Sequence, residues 1–102
     1  MEVSDPHRAR IEALAARIAR MPSVEAVWLY GSRARGDHRP RSDIDLAVSA
    51  PHGSERAWSD VCALVEEADT MLPIDLVWLE KAGPELRAAV QSQGVKLYER
   101  RD

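Results

Sequence analysis

The chain has no phenylalanine, only one cysteine and no excess of positive charge. Each absence removes a class of protein. A lone Cys62 excludes an internal disulfide and fits a reducing, cytoplasmic compartment. His7, His38 and His52 are scattered without zinc spacing. Seventeen acidic residues against fourteen basic give a net charge of −3, which argues against broad nucleic-acid binding through a basic surface. No apolar run approaches a membrane span, and the N-terminus has no apolar core of a secretory leader. There is no repeat, linker or low-complexity segment. A length of 102 residues, 45% hydrophobic and 30% charged, is the expectation for a single domain spanning 1–102.

What is present concentrates between Gly31 and Val48. An apolar run, Val24 to Tyr30, stops at Gly31-Ser32. Ten residues then separate Ser32 from Asp43, and Asp43 and Asp45 alternate with Ile44, Leu46 and Val48. Aspartate is depleted in strands, so two of them in a strand-like run need a reason. Positions i and i+2 leave one face of a strand, roughly 6.6 Å apart. Two carboxylates that close repel unless a cation lies between them or one is protonated. A hard divalent cation, Mg²⁺ above all, suits such a pair. At Gly31 the backbone can pass close to a ligand, and Ser32 before a short helical turn can cap it and leave N–H groups for an anion. Arg33, Arg35, Arg39 and Arg41 follow. Phosphate cradle, arginines and paired aspartates together describe a nucleoside triphosphate site.

Other motifs fail on the same residues. Gly31 to Gly36 begins like a P-loop, but Asp37-His38 stand where Lys-Ser/Thr is required. Ala47 and Val48 replace the polar ligand and glycine that an EF-hand loop would need.

The remaining chain alternates helix and strand. Ser4 or Asp5 with Pro6 starts a helix whose Ile11, Leu14, Ala15 and Ile18 form one face, ending before Pro22. Val24 to Tyr30 reads as a central strand and Asp43 to Ser49 as a second. A helix from Glu55 to Thr70 buries Trp58, Val61, Cys62, Leu64, Val65 and Ala68; Cys62 there is core filler rather than a nucleophile. Leu72 to Leu79 is a third strand interrupted by Asp75, and buried aspartate is rare unless paired or metal-bound. Gly83-Pro84 opens a last helix with Leu86, Ala89 and Val90 inward and Gly94 as C-cap. Val95 to Tyr98 forms a short final strand, and Arg100 to Asp102 a polar tail. The fold class is α/β, helices and strands alternating around a mixed sheet with the site at strand ends.

Gly31-Ser32, ten residues, then Asp43-Ile44-Asp45 resembles the signature of the DNA polymerase β-like nucleotidyltransferases. The short chain, with Gly-Ser-Arg-Ala-Arg-Gly-Asp and Ser-Asp-Ile-Asp-Leu, is most similar to the minimal nucleotidyltransferases, the MNT-type antitoxins. The resemblance implies a mixed sheet with helices on one face. It implies AMP transfer from ATP to a hydroxyl, with two Mg²⁺ ions on Asp43 and Asp45. Asp75, matched by position, becomes the third carboxylate, binding the metal nearest the acceptor and helping to deprotonate it. Gly31 and Ser32 would bind the β,γ-phosphates, and Arg33 or Arg35 would neutralise the triphosphate.

The chain carries no visible acceptor domain, so another molecule is expected to present the hydroxyl. The resemblance implies a tyrosine of a HEPN-type toxin in a hetero-oligomer. Two rivals stand beside this reading: an antitoxin that works by contact alone, and an adenylyltransferase of the antibiotic-modifying type.

Overall fold

The computed structural model describes residues 7–68 and 71–100. Ser4 to Pro6, Thr70 and Arg101-Asp102 lie outside the described residues. The first helix begins at Arg8 with His7 at its N-cap, and the second expected helix ends at Glu66, short of the expected Thr70.

Among the described residues, four strands and four helices follow the expected alternation: α1 (Arg8–Ala19), β1 (Ala26–Tyr30), α2 (Ser32–Arg35), β2 (Ile44–Ser49), α3 (Glu55–Glu66), β3 (Ile74–Trp78), α4 (Pro84–Gln93) and β4 (Val95–Glu99). A 3₁₀ turn, Leu79–Lys81, joins β3 to α4. The sheet order is β3-β2-β1-β4. β1 is antiparallel to both neighbours, whereas β2 and β3 are parallel and need the α3 crossover between them. The sheet is therefore mixed, and β1 is an inner strand, as its apolar run requires.

Strand alternation divides the sheet into two faces. Val27, Leu29, Ile44, Leu46 and Val48 point to one side and are buried against Ile11, Leu14, Ala15 and Ile18 of α1 and Val61 and Val65 of α3. Ser54 caps α3 by accepting the Ala57 N–H at 3.0 Å. Trp58 stacks on Trp78 with ring centroids 5.2 Å apart, tying α3 to β3. Cys62 is half-buried in this layer. Burial, then Glu66, pushes its thiol pKa up, which suits filler and not a nucleophile.

The opposite face corrects the expectation that the helices share one side. Val90 of α4 and Leu79 pack with Ala47, and Trp28, Tyr30 and Leu86 join them. An inward stripe of Leu86, Ala89 and Val90 says that α4 packs, but not on which face. Gly94 is the C-cap of α4, as expected, its N–H donating to the Val90 carbonyl, but in an extended conformation with φ −73° and not the left-handed one. A Cβ at Gly94 would run into the Val90 carbonyl of α4's own last turn and meet the Leu29 carbonyl of β1 at 3.3 Å, so the helix end itself, with the nearby sheet, requires glycine there. Because α4 covers only part of this face, the start of β2, next to the exposed Asp43, stays open to solvent.

Candidate active site

β1 stops because Gly31 turns the chain. Its φ of 73° is a conformation that other residues rarely adopt. A Cβ at this position would strike Oδ2 of Asp45, so the Gly31 backbone lies directly against that carboxylate. The four-residue α2 begins at once, with Ala34 and Arg35 donating their N–H groups to the Gly31 carbonyl at 3.1 Å. Gly31 therefore occupies the cap position expected of Ser32, and no side chain caps this turn. Ser32 is the first residue of the helix. The first N–H groups of a helix lack an intrahelical acceptor and can face an anion; in this turn those of Ala34 and Arg35 are already engaged by the Gly31 carbonyl.

Strand pairing assembles the rest. Asp45 pairs in register with Tyr30 on its antiparallel side and with Asp75 on its parallel side. Directly paired residues share a face, so Tyr30, Asp45 and Asp75 form one row across three strands. Asp43 stands two residues before Asp45, just ahead of β2 and exposed. Burial holds the Asp45 carboxyl above its ordinary range, Asp75 and Asp43 add to the rise, and Arg35 opposes it. Like-charge crowding thus adds to burial, and a cation relieves that crowding. Burial, with Asp75 and Asp45 beside it, pushes the Tyr30 phenol up to about 12.

The predicted residues do not all behave alike. Asp75 reaches the row as expected, but it is exposed, because β3 is an edge strand. Arg35 is exposed, pairs with Asp37 at 3.2 Å, and is close enough to act on Asp45. Arg33 is buried, and its guanidinium donates to the Ser42 and Pro40 carbonyls, so it braces the loop instead of facing the open end. His38 is half-buried in that loop, not fully solvated. Tyr30 was missed. Its signal was the alternation of β1, which puts it on the face opposite Leu29, immediately before the turn.

Among the described residues, no three acidic, His or Cys side chains form a ready-made cage for a metal ion. The donor chemistry still fits Mg²⁺. That ion is ordinarily held by one or two carboxylates together with phosphate oxygens and water, and Asp45 brings crowded hard oxygens to the Gly31 turn. A cavity of about 280 Å³ opens elsewhere, at the far end of the strands beside Glu25, Ser49, Glu80, Arg87 and Lys96. None of the aspartates lines it. Among the described residues, no helix is long and apolar enough to cross a membrane.

A glycine turn against a strand-borne aspartate, with a second aspartate in register, resembles the layout of a nucleotidyltransferase site. The chain belongs to the polymerase β nucleotidyltransferase family, whose model matches residues 12–102. Among solved structures it is similar to a toxin–antitoxin crystallised with AMP-PNP, at 28% identity and a TM-score of 0.71, over 88% of this chain and 74% of that one. A chain provisionally described as a minimal nucleotidyltransferase is 32% identical, with a TM-score of 0.64, over 86% of this chain and 89% of its own. A third likeness is to a complex of a tri-AMPylated HEPN toxin of Shewanella oneidensis with its MNT antitoxin. It has 25% identity and a TM-score of 0.61, over 92% of this chain and 71% of that chain. No protein of curated function matches the chain significantly.

Proposed function

We propose that this chain transfers AMP from ATP to a tyrosine hydroxyl of a HEPN-type toxin, silencing it in the cytoplasm as the antitoxin of the pair. The observation that carries the reading is the row Asp45–Asp75 beside Gly31. It is the arrangement that a triphosphate and an attacking hydroxyl require. The similar complex that contains a tri-AMPylated HEPN toxin supports the acceptor, and the similar structure with AMP-PNP supports the donor.

In this reading the N–H groups of the Gly31-Ser32 turn hold the β,γ-phosphates, and Arg35 offsets their charge. Asp43, Asp45 and Asp75 hold Mg²⁺, which when bound supplies charge neutralisation for an in-line displacement. Asp75, exposed at the sheet edge, takes the proton of the incoming hydroxyl. The hydroxyl oxygen bonds to the α-phosphorus, the bond from that phosphorus to the bridging oxygen breaks, and pyrophosphate departs with the electron pair. Tyr30 stays a neutral phenol, so it adds no charge to an acidic row.

The test is to express the chain with a HEPN-type toxin encoded beside it and to weigh the toxin intact. Expected is a gain of about 329 Da per AMP, lost with Asp43→Ala/Asp45→Ala. An unmodified but silenced toxin would replace this reading with the contact-only antitoxin. AMP found only on small hydroxyl compounds would replace it with the antibiotic-modifying type.

A further inference from the structure

Arg33 is the one charged side chain buried among the described residues, with 5% of its surface exposed. A guanidinium is costly to bury unless its N–H groups find acceptors. Here Nε and Nη2 both donate to the Ser42 carbonyl, at 3.2 and 3.0 Å, and Nη2 also donates to the Pro40 carbonyl at 3.2 Å. The Ser42 carbonyl belongs to the peptide that joins Ser42 to Asp43. Ser42 also closes a tight turn: its N–H donates to the Arg39 carbonyl at 3.0 Å, and its Oγ accepts the Arg39 N–H at 2.8 Å. On the other side of Asp43, the Ile44 N–H donates to the Pro73 carbonyl at 2.9 Å. Asp43 is itself exposed, yet the peptides on both sides of it are fixed.

Arg33 belongs to α2, the same short helix that follows the Gly31 turn. One guanidinium therefore links that turn to the peptide before Asp43. A carboxylate in a loose loop would have to be ordered each time a ligand arrives, and that ordering opposes binding. An arginine suits the task because its planar fork reaches two carbonyls at once, which an ammonium on a flexible stem does not reproduce.

We propose that Arg33 is a positioning residue: it holds Asp43 in place relative to Asp45 and the Gly31-Ser32 turn, so that both carboxylates serve one metal–nucleotide complex. This role rests on the nucleotidyltransferase reading of the site.

The test is a cycle of native protein, Arg33→Lys, Asp43→Asn and the double variant. Mn²⁺ uptake in the presence of AMP-PNP is followed by electron paramagnetic resonance, and amide exchange is followed across residues 37–44. Arg33→Lys should weaken Mn²⁺ uptake by about tenfold, a typical loss when the support of a metal-binding carboxylate is removed. Arg33→Met, which donates nothing, should weaken it further. Exchange should quicken at 37–43 while the amides of β1 and β2 stay protected. In the Asp43→Asn background, Arg33→Lys should add almost nothing, because both act through the same carboxylate.

Additive losses would overturn the positioning role, as would unchanged Mn²⁺ uptake in Arg33→Lys. Global unfolding of Arg33→Lys would do the same, since the role assigned is local. If the native protein takes up no Mn²⁺ with AMP-PNP, the site reading itself fails and this role falls with it. A native protein that does take up Mn²⁺ but is indifferent to Arg33 removes the positioning role alone.

Discussion

The open face of the sheet has two ends, and they treat charge in opposite ways. At the far end, charges are matched. Glu80 accepts from the Ser49 hydroxyl at 2.6 Å and from the Ala50 N–H at 2.8 Å, while Lys96 pairs with Glu99 at 3.0 Å and lies over the Trp28 ring at 4.8 Å. At the near end, like charges gather. Burial raises the Asp45 carboxyl first, Asp75 and Asp43 add to the rise, and only Arg35 opposes it. The far end uses its polar groups to hold strands together, and the near end keeps an unfavourable arrangement that a bound cation would relieve. Cavity volume alone points to the far end, where none of Asp43, Asp45 and Asp75 lies.

The largest effect should come from Asp45→Asn. Transfer should fall at least about a hundredfold, because the charge that fixes the metal is removed. The same change should leave thermal stability equal or raise it, since a crowded carboxylate disappears. A clear drop in melting temperature would show that the near end is structural after all.

Leu46→Ala sharpens the contrast on the same strand. Leu46 is fully buried on the α1–α3 face, so urea unfolding should show a loss of about 2–5 kcal/mol. Mg²⁺-dependent nucleotide binding by the folded fraction should persist.

The pH dependence of stability carries a sign. The carboxyl of Asp45 titrates higher in the folded chain than its unfolded value of 3.8. Between those two values the folded state holds more protons. Asp45's contribution is therefore favourable below pH 3.8 and is lost as pH rises through the raised folded value. In EDTA, melting curves of native protein and Asp45→Asn should diverge across that window, the variant gaining relative to the native chain as pH rises. Divergence in the opposite direction would contradict the crowding at the near end.

The smallest effect should be that of Lys96→Met at the far end. An exposed ion pair plus a ring contact is worth roughly 1 kcal/mol or less, so urea unfolding should shift only slightly and transfer not at all. A large loss of transfer would join the two ends into one site.

How much of this could be read from the chain follows from the physics of each feature. The Gly31 turn and the Asp43/Asp45 pair are local, set by spacing and by the two-residue period of a strand, and both are legible. Asp75 was legible as a polar break in an apolar run. Its pairing with Asp45 depends on a parallel register that no local pattern encodes. The same holds for Tyr30, which enters the row only through cross-strand pairing. Arg33 and Arg35 look alike in sequence, two arginines beside one turn. Burial separates them, and burial is decided by where the 37–42 loop folds back. The side of the sheet chosen by α4 was equally hidden, because an amphipathic stripe gives no address.

The central claim is that the crowded carboxylates and the Gly31 turn act as one metal–nucleotide site. Calorimetric titration of AMP-PNP, with Mg²⁺ and with EDTA, tests it directly on native protein and on Asp43→Asn/Asp45→Asn. The account predicts that Mg²⁺ strengthens binding to the native chain by at least about tenfold and does almost nothing for the variant. Equal Mg²⁺ dependence in the two proteins would contradict it.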